Sequence, residues 1–93
     1  DHFEGIAPYA EYRVRSTDID VGGHMNNTAY VRMIMGSLSN EEREALTIRR
    51  MDVIFRASCY EGDVLSFRRK ETEDGLDIRV SRGEETVLLV RIQ

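Results

Sequence analysis

The sequence is poor in the residues that staple, break or anchor a chain. Its single cysteine, Cys59, cannot close an internal disulfide, which excludes a disulfide scaffold and fits a reducing cytoplasm. Its single proline, Pro8, stands ahead of the first regular segment, and no repeat, low-complexity run or Pro/Gly/Ser linker divides the 93 residues. One domain over residues 1–93 is therefore expected. No apolar run is long enough to span a membrane. Neither a basic and apolar leader nor an initiator Met precedes Asp1, so the expectation is a soluble piece of a longer cytoplasmic parent, without a targeting peptide of its own. Lysine is scarce as well, since only Lys70 among the 13 basic residues is not Arg. Against 17 acidic residues the net charge is 13 − 17 = −4, and an acidic domain without a basic arm is a poor nucleic-acid binder. Arginine nevertheless favours geometric recognition of carboxylate or phosphate, which leaves room for a local anionic partner.

What is present is a clear succession of patterns. Tyr12 and Val14 alternate with Arg13 and Arg15, the period of a half-buried strand. A polar, glycine-containing loop runs from Ser16 to Asn26, longer than the usual connection of about 4–6 residues and of the kind that carries function. Tyr30, Val31, Ile34, Met35 and Leu38 then fall at helical spacing, with Asn26 or Asn27 as N-cap and Gly36 near the end. Ser39 and Glu42 have the form of a capping box that opens a second short helix through about Leu46. The period changes to two for Met51, Val53, Phe55 and Ala57, and for a run from Val64 to Thr72 after a Glu61-Gly62-Asp63 turn. Asp74-Gly75 is a two-residue hairpin signal leading into Leu76, Ile78 and Val80; that turn would set Lys70 opposite Arg79, with Arg68 on the same face, as a basic surface suited to an anionic partner. Arg82-Gly83-Glu84 turns into a last run, Thr86 to Ile92, apolar on both faces as in the middle of a sheet. The fold class is α+β, an antiparallel sheet able to wrap one long helix.

The loop gathers Asp18, Asp20, Gly22, Gly23, His24, Asn26 and Asn27 ahead of the helix. A helix N-terminus presents unpaired N–H groups and partial positive charge, able to polarise a substrate carbonyl and hold the oxyanion formed when water attacks it. His24 can take the proton from that water, while Asp20 holds the imidazole tautomer or acts as base itself. Glycines let the backbone approach a ligand closely. The same residues also read structurally, with the aspartates shaping a turn, an asparagine capping the helix and His24 as an ordinary polar side chain. Met25, Met33 and Met35 read as core filler. His2 and His24 are 22 positions apart and no metal-ligand spacing occurs.

From Asp18 to Tyr30 the chain resembles the acyl-acyl-carrier-protein thioesterases, whose motif is similar to D-x-D-x-N-x-H-x-N-N followed by an aromatic. Phe55 to Phe67 resembles the strand-turn-strand of the same family. The resemblance implies a hotdog fold, and identifies the chain with the C-terminal half of a double-hotdog enzyme that hydrolyses fatty acyl thioesters of acyl carrier protein. It implies no cofactor and no metal. Its partners would be the acyl carrier protein substrate and an N-terminal hotdog repeat or a second copy of the domain. Carried over by position, Asp20 and His24 are catalytic, while Gly22, Asn26, Asn27 and Ser58 belong to substrate or oxyanion binding. Two positions depart from the family pattern: Gly22 stands for an asparagine and Ser58 for a glutamate. Cys59 stands where some members carry a cysteine, and with no base nearby in sequence it reads as a small half-buried residue. Three functions are compatible with this pattern: a working thioesterase, a degenerate repeat that binds acyl chains or dimerises, and a hotdog dehydratase.

Overall fold

The computed structural model describes residues 2–93. The first alternating segment forms strand β1, Ala10–Arg13, with Glu11 and Arg13 in water. Val14 prolongs its line: its N–H donates to the Asp63 carbonyl and its own carbonyl accepts from Gly62, each at 2.9 Å, and the side chain is buried. A single 3-10 turn at Ser16–Asp18 opens the loop, and an isolated bridge between Ile19 and Met25 closes the remainder into a ring. Helix α1 spans Asn27–Gly36 and α2 Asn40–Ala45, followed by β2 (Met51–Phe55), β3 (Val64–Thr72), β4 (Gly75–Arg82) and β5 (Glu85–Ile92). The order of elements is the one expected from the sequence.

The five strands make one antiparallel sheet in the order β1-β3-β4-β5-β2. β5 lies between β4 and β2, which is why both of its faces are apolar. Cross-strand neighbours Phe67, Val80 and Leu88, and Ile78 and Val90, share one face. That face and the buried side of α1, from Ala29, Tyr30, Met33 and Ile34, form a single core. Met25 and Met33 are in it, as core residues. Ile34, Ile78 and Leu88 are fully buried, so truncating any of them to Ala would cost about 2–5 kcal/mol. On the other face Phe3 is buried, and Arg68 Nε donates to the Ile6 carbonyl at 2.9 Å, so the start of the chain lies across the back of the sheet.

The β3–β4 hairpin differs from expectation by one turn position. Thr72 pairs with Gly75, so Glu73 and Asp74 make the turn; Lys70 faces Asp77, and Arg68 faces Arg79. Gly75 is present for a different reason than turn geometry. A β-carbon there would come within 1.8 Å of the Ile92 carbonyl oxygen, and the residue does not have positive φ. The resulting register moves every pair by two residues, which keeps all side chains on their expected faces. It sets Lys70 opposite the Asp77 carboxylate instead of Arg79, and leaves Arg68 and Arg79 as the like-charged pair across the strands. Arg68 and Arg79 turn to separate acceptors, Arg68 to Ile6 and to Ser81 Oγ and Arg79 to the Glu84 carbonyl.

Candidate functional site

The loop entering α1 is anchored by Asp18. Its Oδ2 accepts from the Tyr12 hydroxyl at 2.6 Å and from the Arg15 N–H at 2.9 Å, and Arg32 Nη2 stands 3.6 Å from Oδ1. Burial pushes the Asp18 carboxyl up, but these hydrogen bonds and the Arg32 charge outweigh it and hold the group below its ordinary value. The Asp18 carbonyl in turn accepts from both the backbone and the side-chain nitrogen of Asn26, each at 3.1 Å. Asn26 is the N-cap: its Oδ1 accepts from Ala29 N–H at 2.9 Å. Both ends of its amide are thus occupied inside the fold. Tyr30 N–H goes to the Asn26 carbonyl, which leaves the N–H groups of Asn27 and Thr28 at the helix start without an intrahelical acceptor.

Asp20 and His24 face each other across the ring of the loop. Asp20 N–H donates to the His24 carbonyl at 3.1 Å, and Gly23 N–H to the Asp20 carbonyl at 3.0 Å. The Asp20 carboxylate is held by Gly22, whose N–H donates to Oδ1 at 2.8 Å; among the described residues no hydrogen bond joins it to the His24 ring. Gly22 lies between the two side chains, since a β-carbon at this position would be 3.1 Å from Asp20 Oδ1 and 3.4 Å from His24 Nε2. Asp20, Gly22, His24, Asn27 and Ser58 are all exposed.

Ser58 reaches the same place from the other side of the molecule. Met25 N–H donates to the Cys59 carbonyl at 2.9 Å, and Cys59 N–H donates to the Tyr30 hydroxyl at 3.1 Å, which ties the Ser58-Cys59 segment to the start of α1. Arg82 fixes its outer side, with Nη1 donating to the Ser58 carbonyl at 3.0 Å and to Asp63 Oδ2 at 2.7 Å, and Nη2 to Glu85 Oε1 at 2.6 Å. Cys59 is fully buried, and desolvation pushes its thiol up despite the opposing Tyr30 hydrogen bond; a thiol kept protonated and away from solvent is no nucleophile.

Two open cavities meet at His24, Met25 and Asn27. One, of about 720 Å³, is bounded also by Asp20, Asn26, Thr28 and Arg32. The other, of about 340 Å³, is bounded by Tyr30, Phe55, Arg56 and Ser58. A third cavity of about 560 Å³ lies on the back of the sheet around Ile54, Leu89 and Asp77 and includes none of the loop residues. The structure therefore brings Asp20, Gly22, His24, Asn27 and Ser58 to one junction and gives Asn26 the task of capping. Sequence reasoning missed Arg32, Arg56 and Arg82. Nothing in the local pattern marks Arg82, which meets Ser58 only through the fold, and Tyr30 reads as core although its hydroxyl also carries a bond of the site. Among the described residues no three His, Cys, Asp or Glu side chains converge to hold a metal ion. The junction offers a proton acceptor, carboxylate, amide and hydroxyl groups and free helix N–H groups, which are the requirements for adding water to a carbonyl.

A five-stranded antiparallel sheet packed on one long helix, with a polar loop feeding the helix N-terminus, defines a hotdog protein of the thioesterase kind. Residues 6–92 match the family described as the acyl-ACP thioesterase C-terminal domain, and the chain belongs to that family. An acyl-ACP thioesterase from Bacteroides thetaiotaomicron VPI-5482 is 30% identical, with a TM-score of 0.84 over 92% of this chain and 36% of that one. The chain thus spans just over a third of that relative's length. The fold recurs in YbaW, a probable thioesterase from Escherichia coli, at 16% identity and TM-score 0.78 over 92% of this chain and 79% of that one. It recurs also in Slr0204, a 1,4-dihydroxy-2-naphthoyl-CoA thioesterase from Synechocystis, at 17% identity and TM-score 0.72 over 89% and 76%. No curated protein sequence matches the chain.

Proposed function

We propose that this chain is the catalytic C-terminal hotdog half of a cytoplasmic thioester hydrolase that releases free fatty acids from acyl carrier protein. The meeting of His24, Asp20 and Asn27 at the α1 N-terminus, within a chain of this family, carries the reading. His24 removes a proton from water as its oxygen adds to the thioester carbonyl, and the N–H groups of Asn27 and Thr28 hold the oxyanion. Collapse of the intermediate breaks the carbon–sulfur bond, and the same proton passes from His24 to the leaving thiolate. The products are a carboxylic acid, which ionises, and a free thiol, so no cofactor or redox partner is required. Asp20, steadied by Gly22, supports the charge that His24 acquires.

The partner is an N-terminal hotdog repeat or a second copy, docked against β2. Ile54 and Phe55 on this outermost strand are 57% and 47% exposed, and exposed apolar residues on an edge strand call for cover. A second reading, an acyl-binding or pairing repeat without turnover, draws support from the lack of a hydrogen bond between Asp20 and His24 and from Gly22 and Ser58. The deciding experiment measures thiol release from acyl carrier protein and coenzyme A thioesters by the full-length protein. Hydrolysis that disappears in His24→Ala supports the enzyme; no release at any acyl chain length leaves the binding reading.

A further inference from the structure

The smaller cavity carries a charge that the fold does not use. Arg56 follows β2, and its N–H and that of Ala57 both donate to the Val87 carbonyl, at 2.8 and 3.2 Å. Val80 pairs with Leu88 and Ser81 with Thr86, so Val87 is the extra residue of a bulge in β5. Such a bulge bends its strand and aims the side chains beside it; here its carbonyl sets the backbone from which the Arg56 side chain leaves. Arg56 lines the cavity together with His24, Asn27 and Ser58, and no Asp or Glu lines it. The neighbouring guanidiniums are paired, Arg32 with Asp18 and Arg82 with Asp63 and Glu85. Among the described residues Arg56 has no acidic partner within ion-pair distance. Its fork of donors matches two oxygens of one anion.

We infer that Arg56 is a recognition residue for an anionic oxygen group of the substrate, on the Ser58 side of His24; this rests on the thioester reading of the same site. Two groups offer that chemistry, the carboxylate set free by hydrolysis and the phosphate of the pantetheine arm that carries the acyl group. Arg56→Gln and Arg56→Lys in the full-length protein separate them by equilibrium binding of two ligand pairs. One pair is a fatty acid and the fatty alcohol of equal length. The other is a non-hydrolysable acyl amide of phosphopantetheine and the same amide of pantetheine. Arg56→Gln is expected to reduce the preference for the anionic member by about tenfold in one pair, the size of a charge-assisted bidentate contact, with Arg56→Lys intermediate. The pair that responds identifies the group. An unchanged preference in both pairs, in a variant whose unfolding midpoint equals that of the parent, overturns the inference. Since every ligand is read by binding, the result stands whether or not the protein turns thioesters over, and loss of discrimination without any hydrolysis would uphold Arg56 while removing the enzyme reading.

Discussion

Position 22 has room for a backbone and little more, because a β-carbon there would press on Asp20 Oδ1 at 3.1 Å. The loop is exposed, so the carboxylate can give by the few tenths of an ångström that an Asn requires. On the thioesterase reading, Gly22→Asn combined with Ser58→Glu supplies the amide and carboxylate of the family motif and raises kcat by about tenfold or more. Arg56 shares the Ser58 cavity and would keep the new carboxylate ionised. Steady-state kinetics across acyl chain lengths checks this, and a flat response would count against a missing base as the limitation. Loop residues separate into two sets by what they hold. Asn26→Ala removes the helix cap and a donor to Asp18, and is expected to cost about 1 kcal/mol in chemical denaturation. His24→Ala, at an exposed position, is expected to leave the denaturation midpoint in place and, on the same thioesterase reading, to remove turnover.

At the scale of elements, much of the fold is legible in the sequence because the deciding interactions are local. The Ser39–Glu42 capping box forms both of its bonds, at 3.1 and 2.9 Å, and Asn26 caps α1. Where a residue answers to a distant neighbour, local reading fails. Gly75 resembles a turn glycine but is required by the Ile92 carbonyl, so the hairpin closes one position earlier than Asp74-Gly75 suggests. Gly75→Ala is accordingly expected to destabilise by about 1–3 kcal/mol or more, as overpacking against backbone does, with the loss visible in the thermal midpoint. The candidate site, as a cluster of residues, is legible to the same degree. Its loop residues stand together in sequence, whereas the Arg82 bond to Ser58 joins residues 24 apart and leaves no trace in the local pattern. Arg82→Gln should release the Ser58–Asp63 segment, costing about 1–3 kcal/mol from lost charged hydrogen bonds and accelerating amide exchange at Met25 and Cys59.

For the whole molecule, several carboxylates tie distant parts of the chain together. Asp77 is held below its ordinary value by Arg91 in β5, despite its burial and with help from His2. For Asp63 and Asp18 burial acts upward, but hydrogen bonds and neighbouring arginines more than reverse it. Groups depressed on folding stabilise above their unfolded value of about 3.9 and lose that contribution as pH falls through the folded values. Stability should thus be level with respect to these groups above about pH 5 and decline below about pH 4, and Asp77→Asn should shallow the decline in an unfolding series against pH. The sheet order also sets a sequence of events. β3, β4 and β5 are joined by two-residue turns, while β1 reaches β3 and β2 reaches β5 only by closing long stretches of chain. Local pairings cost the least closure entropy, so the meander is the natural nucleus and the junction between Met25 and Cys59 forms after it. Truncations such as Ile78→Val and Val90→Ala should slow folding, whereas Asn26→Ala should chiefly hasten unfolding. The chain would then acquire its shape before its chemistry.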